Sequence, residues 1–163
     1  MFALNMNKVA LLEQIIARLQ AELTTIKAAA LATHAEATHE ENKAEDKYDT
    51  RGLEASYLAH GQSKAAEEAA LAVSQFQAMT MRDFGPAEPV SLGALVVLEG
   101  GTTNHYFIGP RAGGTEVEHA GRTVLVITPQ SPLGRQLVGK LRGDVLQLDL
   151  AGRRSEFKVA SVS

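Results

Sequence analysis

The sequence has no cysteine and no tryptophan among its 163 residues. The first absence removes disulfides, thiolate metal sites and cysteine nucleophiles together, and it fits a reducing compartment. No proline occurs before Pro86, so nothing breaks a helical pattern in the first half. Long apolar runs are missing as well: no stretch approaches the ~20 residues needed to span a bilayer. The N-terminus, MFALNMNKVALLEQII, lacks a basic n-region and a small-residue cleavage site, which argues against a signal peptide. A cytoplasmic protein with no membrane association is expected. A net charge of −3 gives no support to nucleic-acid binding driven by bulk electrostatics.

What is present divides the chain near residue 85, with alanine prominent before it and glycine and valine after. Val9, Leu12, Ile16, Leu19, Leu23, Ile26 and Ala30 recur at alternating spacings of 3 and 4, the heptad seam of a helix that packs on another helix. Leu11 and Ile15 widen that stripe at its start. A second helix is expected from about Leu53 to Met81, with Ala55, Leu58, Gln62, Ala65, Ala69, Ala72, Phe76 and Met79 inward. This seam is mostly alanine, which allows close approach but buries little area. Gly61 in its middle costs ~1 kcal/mol relative to alanine. With about 30 residues in each helix, the antiparallel hairpin would reach roughly 45 Å.

Between the helices lies THEENKAEDKYDTRG. From Glu36 to Glu54 seven carboxylates face three basic residues. That local net of −4 exceeds the charge of the whole chain. Composition alone allows a solvated turn. The position at the end of a long hairpin equally allows an acidic tip delivered to a distant site.

After the linker RDFGPAEP the periodicity changes. LVVL (95–98), HYFI (105–108), TVLVI (123–127), DVLQLDL (144–150) and SEFKVASV (155–162) are short β-branched or aromatic runs separated by glycines, the pattern of strands joined by turns. In SPLGRQLVGK, Ser131 suits an N-cap, Pro132 a first helical position and Gly139 a C-terminal cap. Leu133, Leu137 and Val138 would form the apolar face of that short helix. From Val90 onward eight basic residues meet six acidic ones, so this half is positive where the tip is negative. The histidines form no recognised site: HEENK lacks the second histidine of HExxH, and the paired glycines lack a P-loop lysine.

SPLGRQLVGKLRGD, the terminal EFKVASV and the acidic stretch between two heptad helices together resemble the GreA/GreB family of bacterial transcript-cleavage factors. The likeness covers nearly the whole chain. It implies an α+β architecture: residues 1–84 as an antiparallel coiled-coil hairpin with its tip at about 38–52, and residues 90–163 as a small FKBP-like antiparallel β domain with one short helix. In this family the C-terminal domain docks on RNA polymerase while the coiled coil enters the secondary channel. Tip acids then act at the magnesium of the polymerase active site, so that backtracked RNA is cleaved near its 3′ end. Such a factor is no enzyme, binds no cofactor alone and works as a monomer. Docking would fall on Ser131, Pro132, Arg135, Lys140 and Arg142, and the magnesium-directed acids would come from Glu41, Glu45, Asp46 and Asp49. Glu41 and Glu45 would approach the metal only in the complex.

The tip departs from the family pattern, which is roughly Asp-Leu-x-Glu-Asn-x-Glu-Tyr. With Tyr48 on the family tyrosine, Glu41 takes the first acidic position and Ala44 the second. Glu45 lies one residue away, and Asp46 with Asp49 offers a separate pair. Three functions stay open: stimulation of RNA cleavage, occupation of the channel by a modulator or inhibitor without cleavage, and a dimerising coiled-coil adaptor with a solvated tip. The FKBP-like fold itself does not establish prolyl isomerase activity, since this half offers only Tyr106, Phe107 and Phe157 as aromatics.

Overall fold

The computed structural model describes residues 6–38 and 51–163. Two long helices, α1 (Lys8–Thr38) and α2 (Arg51–Gln77), precede six strands and one short helix. These are β1 (Leu95–Gly100), β2 (Thr102–Ile108), β3 (Glu116–His119), β4 (Arg122–Ile127), α3 (Pro132–Leu137), β5 (Val145–Leu150) and β6 (Arg153–Val162). The chain forms two compact units. One runs to Ile16 and resumes at Gln75; the other is Ala17–Ser74.

In the helical unit Leu19 and Ala30 are buried, with Leu23 and Ile26 half-buried between them. The expected seam of the first helix therefore holds through this unit and continues to the buried Thr33. On α2 the inward positions are Gln62, Ala66, Ala69, Ala70, Ala72 and Val73. The expected Gln62, Ala69 and Ala72 are thus inward, whereas Leu58, 58% exposed, and Ala65, also exposed, depart from the expected phase. An alanine-rich stripe defines that phase poorly, because neighbouring alanines bury almost the same area.

The β unit is one six-stranded sheet ordered β3-β4-β2-β1-β6-β5. Every pairing is antiparallel except β2 with β4, which is parallel. That exception follows from β3, a strand absent from the sequence reading. The chain leaves β2, runs out to the edge as β3, and turns back through Ala120-Gly121 to place β4 beside β2. Both turn residues have positive φ, 52° and 72°, as a two-residue hairpin of right-handed twist requires.

The two faces of the sheet bury different sets. Val96, Leu98, Tyr106, Ile108, Ile127, Leu146, Leu148, Phe157 and Val159 form one core with Leu137 of α3. The alternate row, Leu95–Phe107–Val126 in register across β1, β2 and β4, is buried with Phe76 from the end of α2. The rings of Phe76 and Phe107 stand 6.4 Å apart at 32°. Leu11 and Ile15 of α1 are also fully buried, whereas Val9 is 56% exposed. The first turns of α1 thus present the widened stripe, and the seam position expected at Val9 is solvent-facing. Helix α2 stops at Gln77, four residues before the expected Met81, and Met79 and Met81 lie against Gly93 instead.

At the start of α1, Asn7 Oδ1 accepts from the amides of Val9 and Ala10, at 3.1 and 3.2 Å, capping the helix. Lys8 follows and is buried. Its Nζ donates to the carbonyls of Arg82 (2.7 Å) and Ser163 (2.9 Å), over the ring of Phe84 at 4.8 Å. Burial outweighs the attraction of Asp83 and lowers the Lys8 ammonium to about 8. The unfolded chain holds this proton more tightly than the folded one between about 8 and the ordinary 10.5. Stability from this group therefore rises through that window and is lost as pH falls back to 8. The difference in urea midpoint between wild type and Lys8→Met is expected to grow in favour of wild type from pH 8 to pH 10. A constant difference across that range would remove this account of Lys8.

Candidate functional site

The short helix α3 is held in place by its own backbone. Ser131 is the N-cap, extended at φ −64° and ψ 157°, and its Oγ accepts from the Gly134 amide at 3.0 Å. The same hydroxyl donates to the Thr128 carbonyl at 2.7 Å, and the Ser131 amide donates there too at 3.1 Å. Pro132 occupies the first helical position, where a missing amide costs nothing. Gly134 packs so closely on the Thr128 carbonyl that a Cβ would lie 1.8 Å from the oxygen. Leu137 is fully buried beneath the helix, while Val138, expected on the same apolar face, is 40% exposed and caps the C-terminus. The chain then reverses at Gly139, whose φ is +87°. Gly139 N donates to Val90 O and Val90 N to Lys140 O, each at 2.8 Å.

This scaffold sets Arg135 on α3 and Lys140 beyond it in the lining of a cleft of about 540 Å³. The remaining lining comes from Gln136, Val138, Leu146, Gln147 and Arg154. Arg154 was not among the residues expected from sequence. Its signal was the hairpin register: the two-residue turn Ala151-Gly152 sets Arg154 opposite Asp149 on β5. Among the described residues Arg135, Lys140 and Arg154 have no ion-pair partner, so their charge is available to an external anion.

The other expected docking residues behave differently. Ser131 spends its hydroxyl within the cap, Pro132 is exposed, and Arg142 sits exposed in the turn before β5 without lining the cleft. Asp144 closes that turn by accepting from the Leu141 amide at 2.9 Å. The tip acids Glu41, Glu45, Asp46 and Asp49 lie outside the described residues. Among the described residues no group of three or more histidine, aspartate or glutamate side chains could hold a metal. No described helix is long and apolar enough to cross a membrane.

Two of the histidines, His105 and His119, make structural contacts. Arg122 Nη1 donates to His105 Nε2 at 3.2 Å, which places the neutral ring's proton on Nδ1; burial first and the Arg122 charge second lower the His105 pKa. His119 Nδ1 donates to Gln14 Oε1 at 2.6 Å, tying the edge strand β3 to α1. The three aromatics do not converge on a pocket: Tyr106 and Phe157 belong to the core under α3, and Phe107 faces the other way against Phe76.

No family model matches the chain. The transcription inhibitor proteins Gfh1 of Thermus aquaticus and Thermus thermophilus are each 33% identical to it over 123 residues, 72% of this chain and 73% of theirs. Among solved structures, Gfh1 of Thermus thermophilus, described as GreA factor homolog 1, aligns over 91% of this chain and 94% of its own, at 22% identity and a TM-score of 0.39. A GreA/GreB elongation factor from Nitrosomonas europaea aligns over 72% and 95%, at 16% identity and a TM-score of 0.34. At 33% identity over 72% of this chain and 73% of the relatives' length, the chain belongs to the GreA/GreB family as a divergent member.

Proposed function

We propose that the protein is a secondary-channel transcription factor that occupies RNA polymerase and inhibits or modulates it without stimulating RNA cleavage. Two observations carry the choice over a cleavage factor. The relatives at 33% identity are named transcription inhibitors, and Ala44 stands where the family pattern has its second acid. Docking falls to the β domain through the α3 region, with Arg135 and Lys140 as its charged contacts. The hairpin carries Glu41, Glu45, Asp46 and Asp49 toward the polymerase's own magnesium. Carboxylates suit that ion, which accepts few protein ligands and keeps its water. A single carboxylate at the family positions leaves the second-metal geometry of hydrolysis incomplete. The factor acts as a monomer and contributes no pocket of its own to the reaction.

The test is a backtracked elongation complex incubated with the protein. Wild type is expected to release no 3′ RNA fragments, to slow nucleotide addition, and to compete with a cleavage-competent GreA. Release of fragments would overturn the inhibitor reading. A stable dimer by light scattering that ignores core polymerase would favour the coiled-coil adaptor.

A further inference from the structure

The chain between the end of α3 and the end of β5 carries four exposed large apolar side chains: Val138, Leu141, Val145 and Leu150. Strand β5 is the last of the sheet and bonds only to β6, so half of its backbone N–H and C=O groups point away from the sheet. Edge strands are ordinarily blunted by lysine, proline, bulges or shortness. β3, the opposite edge, is four residues long with Glu116 and Glu118 exposed. β5, VLQLDL, has six residues in unbroken register with β6, no lysine and no proline. Its one charge is Asp149. Beside it lies the cleft with Arg135, Lys140 and Arg154.

These features select among occupants. A nucleic acid would match the three cations and leave the apolar side chains without a purpose. A second copy pairing β5 on β5 would bring two sets of the same cations together, a repulsion with no carboxylate in the cleft lining to offset it. An extended protein segment that alternates carboxylates with apolar side chains satisfies the strand edge, the cations and the apolar rim at once.

We infer that β5 and the cleft beside it form a docking groove for an extended acidic–apolar segment of a partner protein, which adds a strand to the sheet and sets its carboxylates against Arg135, Lys140 and Arg154. This deepens the docking role proposed above and rests on it for the partner being a protein. Arg154 and the β5 edge are its additions.

The probe is a fluorescein-labelled peptide of alternating glutamate and valine, titrated into the full chain by anisotropy. A lysine–valine peptide and a dT oligonucleotide serve as comparisons. The glutamate–valine peptide is expected to bind, to slow amide exchange of residues 145–150, and to bind about tenfold or more weakly to Arg135→Glu/Arg154→Glu. Arg111→Glu, at an exposed position outside the cleft lining, is expected to bind as wild type. Tighter binding of the oligonucleotide, equal binding by the charge-reversed variant, or unchanged exchange in β5 would each overturn the groove. So would a wild-type dimer that the double variant abolishes. Capture on core RNA polymerase separates the two readings. If wild type and the double variant bind polymerase equally, the groove falls and the polymerase reading stands. If wild type takes the peptide but ignores polymerase, the polymerase reading falls and the groove stands.

Discussion

Phe76→Ala is expected to destabilise the protein by about 3–5 kcal/mol, the usual range for removing a buried phenylalanine. The ring is fully buried and stands against Phe107. It also roofs Gly109, where a Cβ would lie 2.7 Å from Phe76 Cζ and 2.9 Å from Val126 Cγ1. Little can collapse into the vacated space, since Phe107, Val124 and Val126 are strand residues fixed by register across β2 and β4. The cost should therefore fall in the upper part of the range. The glycine supplies an internal check. Gly109→Ala alone overpacks against the ring and costs about 1–3 kcal/mol. In the Phe76→Ala background its methyl occupies part of the cavity, so the double variant should be more stable than the summed single losses predict. Urea midpoints of the four proteins measure this coupling, and strict additivity would show that Phe76 does not pack over Gly109.

That contact also marks a limit of sequence reading. Phe76 was expected on the inter-helix seam, and it is inward, but what it meets is the sheet. Periodicity reports which side of a helix is buried, not what buries it. Helix α1 was legible through Leu19, Leu23, Ile26 and Ala30, because large side chains at heptad spacing define a phase. On α2 the expected Gln62, Ala69 and Ala72 face inward, but Ala66 takes the place of the expected Ala65 and Val73 joins Ala72, since alanines contribute too little area to define a phase. β3 escaped notice because EVEH buries only Val117 and His119, and without β3 the parallel β2–β4 pair could not be inferred. Lys8 is the clearest surprise: a lysine at a helix start reads as solvent-facing, and only the long-range carbonyls of Arg82 and Ser163 make its burial tolerable. At the candidate site, Arg135 and Lys140 are expected from the family resemblance carried by SPLGRQLVGKLRGD, whereas Arg154 reaches the same cleft from a strand pairing.

Gly134→Ala is expected to cost about 2–5 kcal/mol, taking overpacking together with the loss of an N-cap. The contact is unusually unforgiving. A Cβ would sit 1.8 Å from the Thr128 carbonyl oxygen and 2.8 Å from Ser131 Oγ, and the first of these is backbone that no rotamer change can clear. Either α3 lifts from the loop or the Thr128 carbonyl swings away. Both outcomes break the linked bonds from Ser131 N and Oγ to Thr128 O and from Gly134 N to Ser131 Oγ. Gly61→Ala is the matched control: it lies in α2 with nothing within 4 Å of the added carbon, and it should stabilise by ~1 kcal/mol through helix propensity alone. The same pair of variants separates fold from function. α3 carries Arg135 into the cleft, so displacement of the helix should weaken capture on core RNA polymerase at temperatures where the variant remains folded. Gly61→Ala should leave capture unchanged. If Gly134→Ala instead melts like wild type, the close approach to Thr128 is wrong and the cap cannot be what positions Arg135.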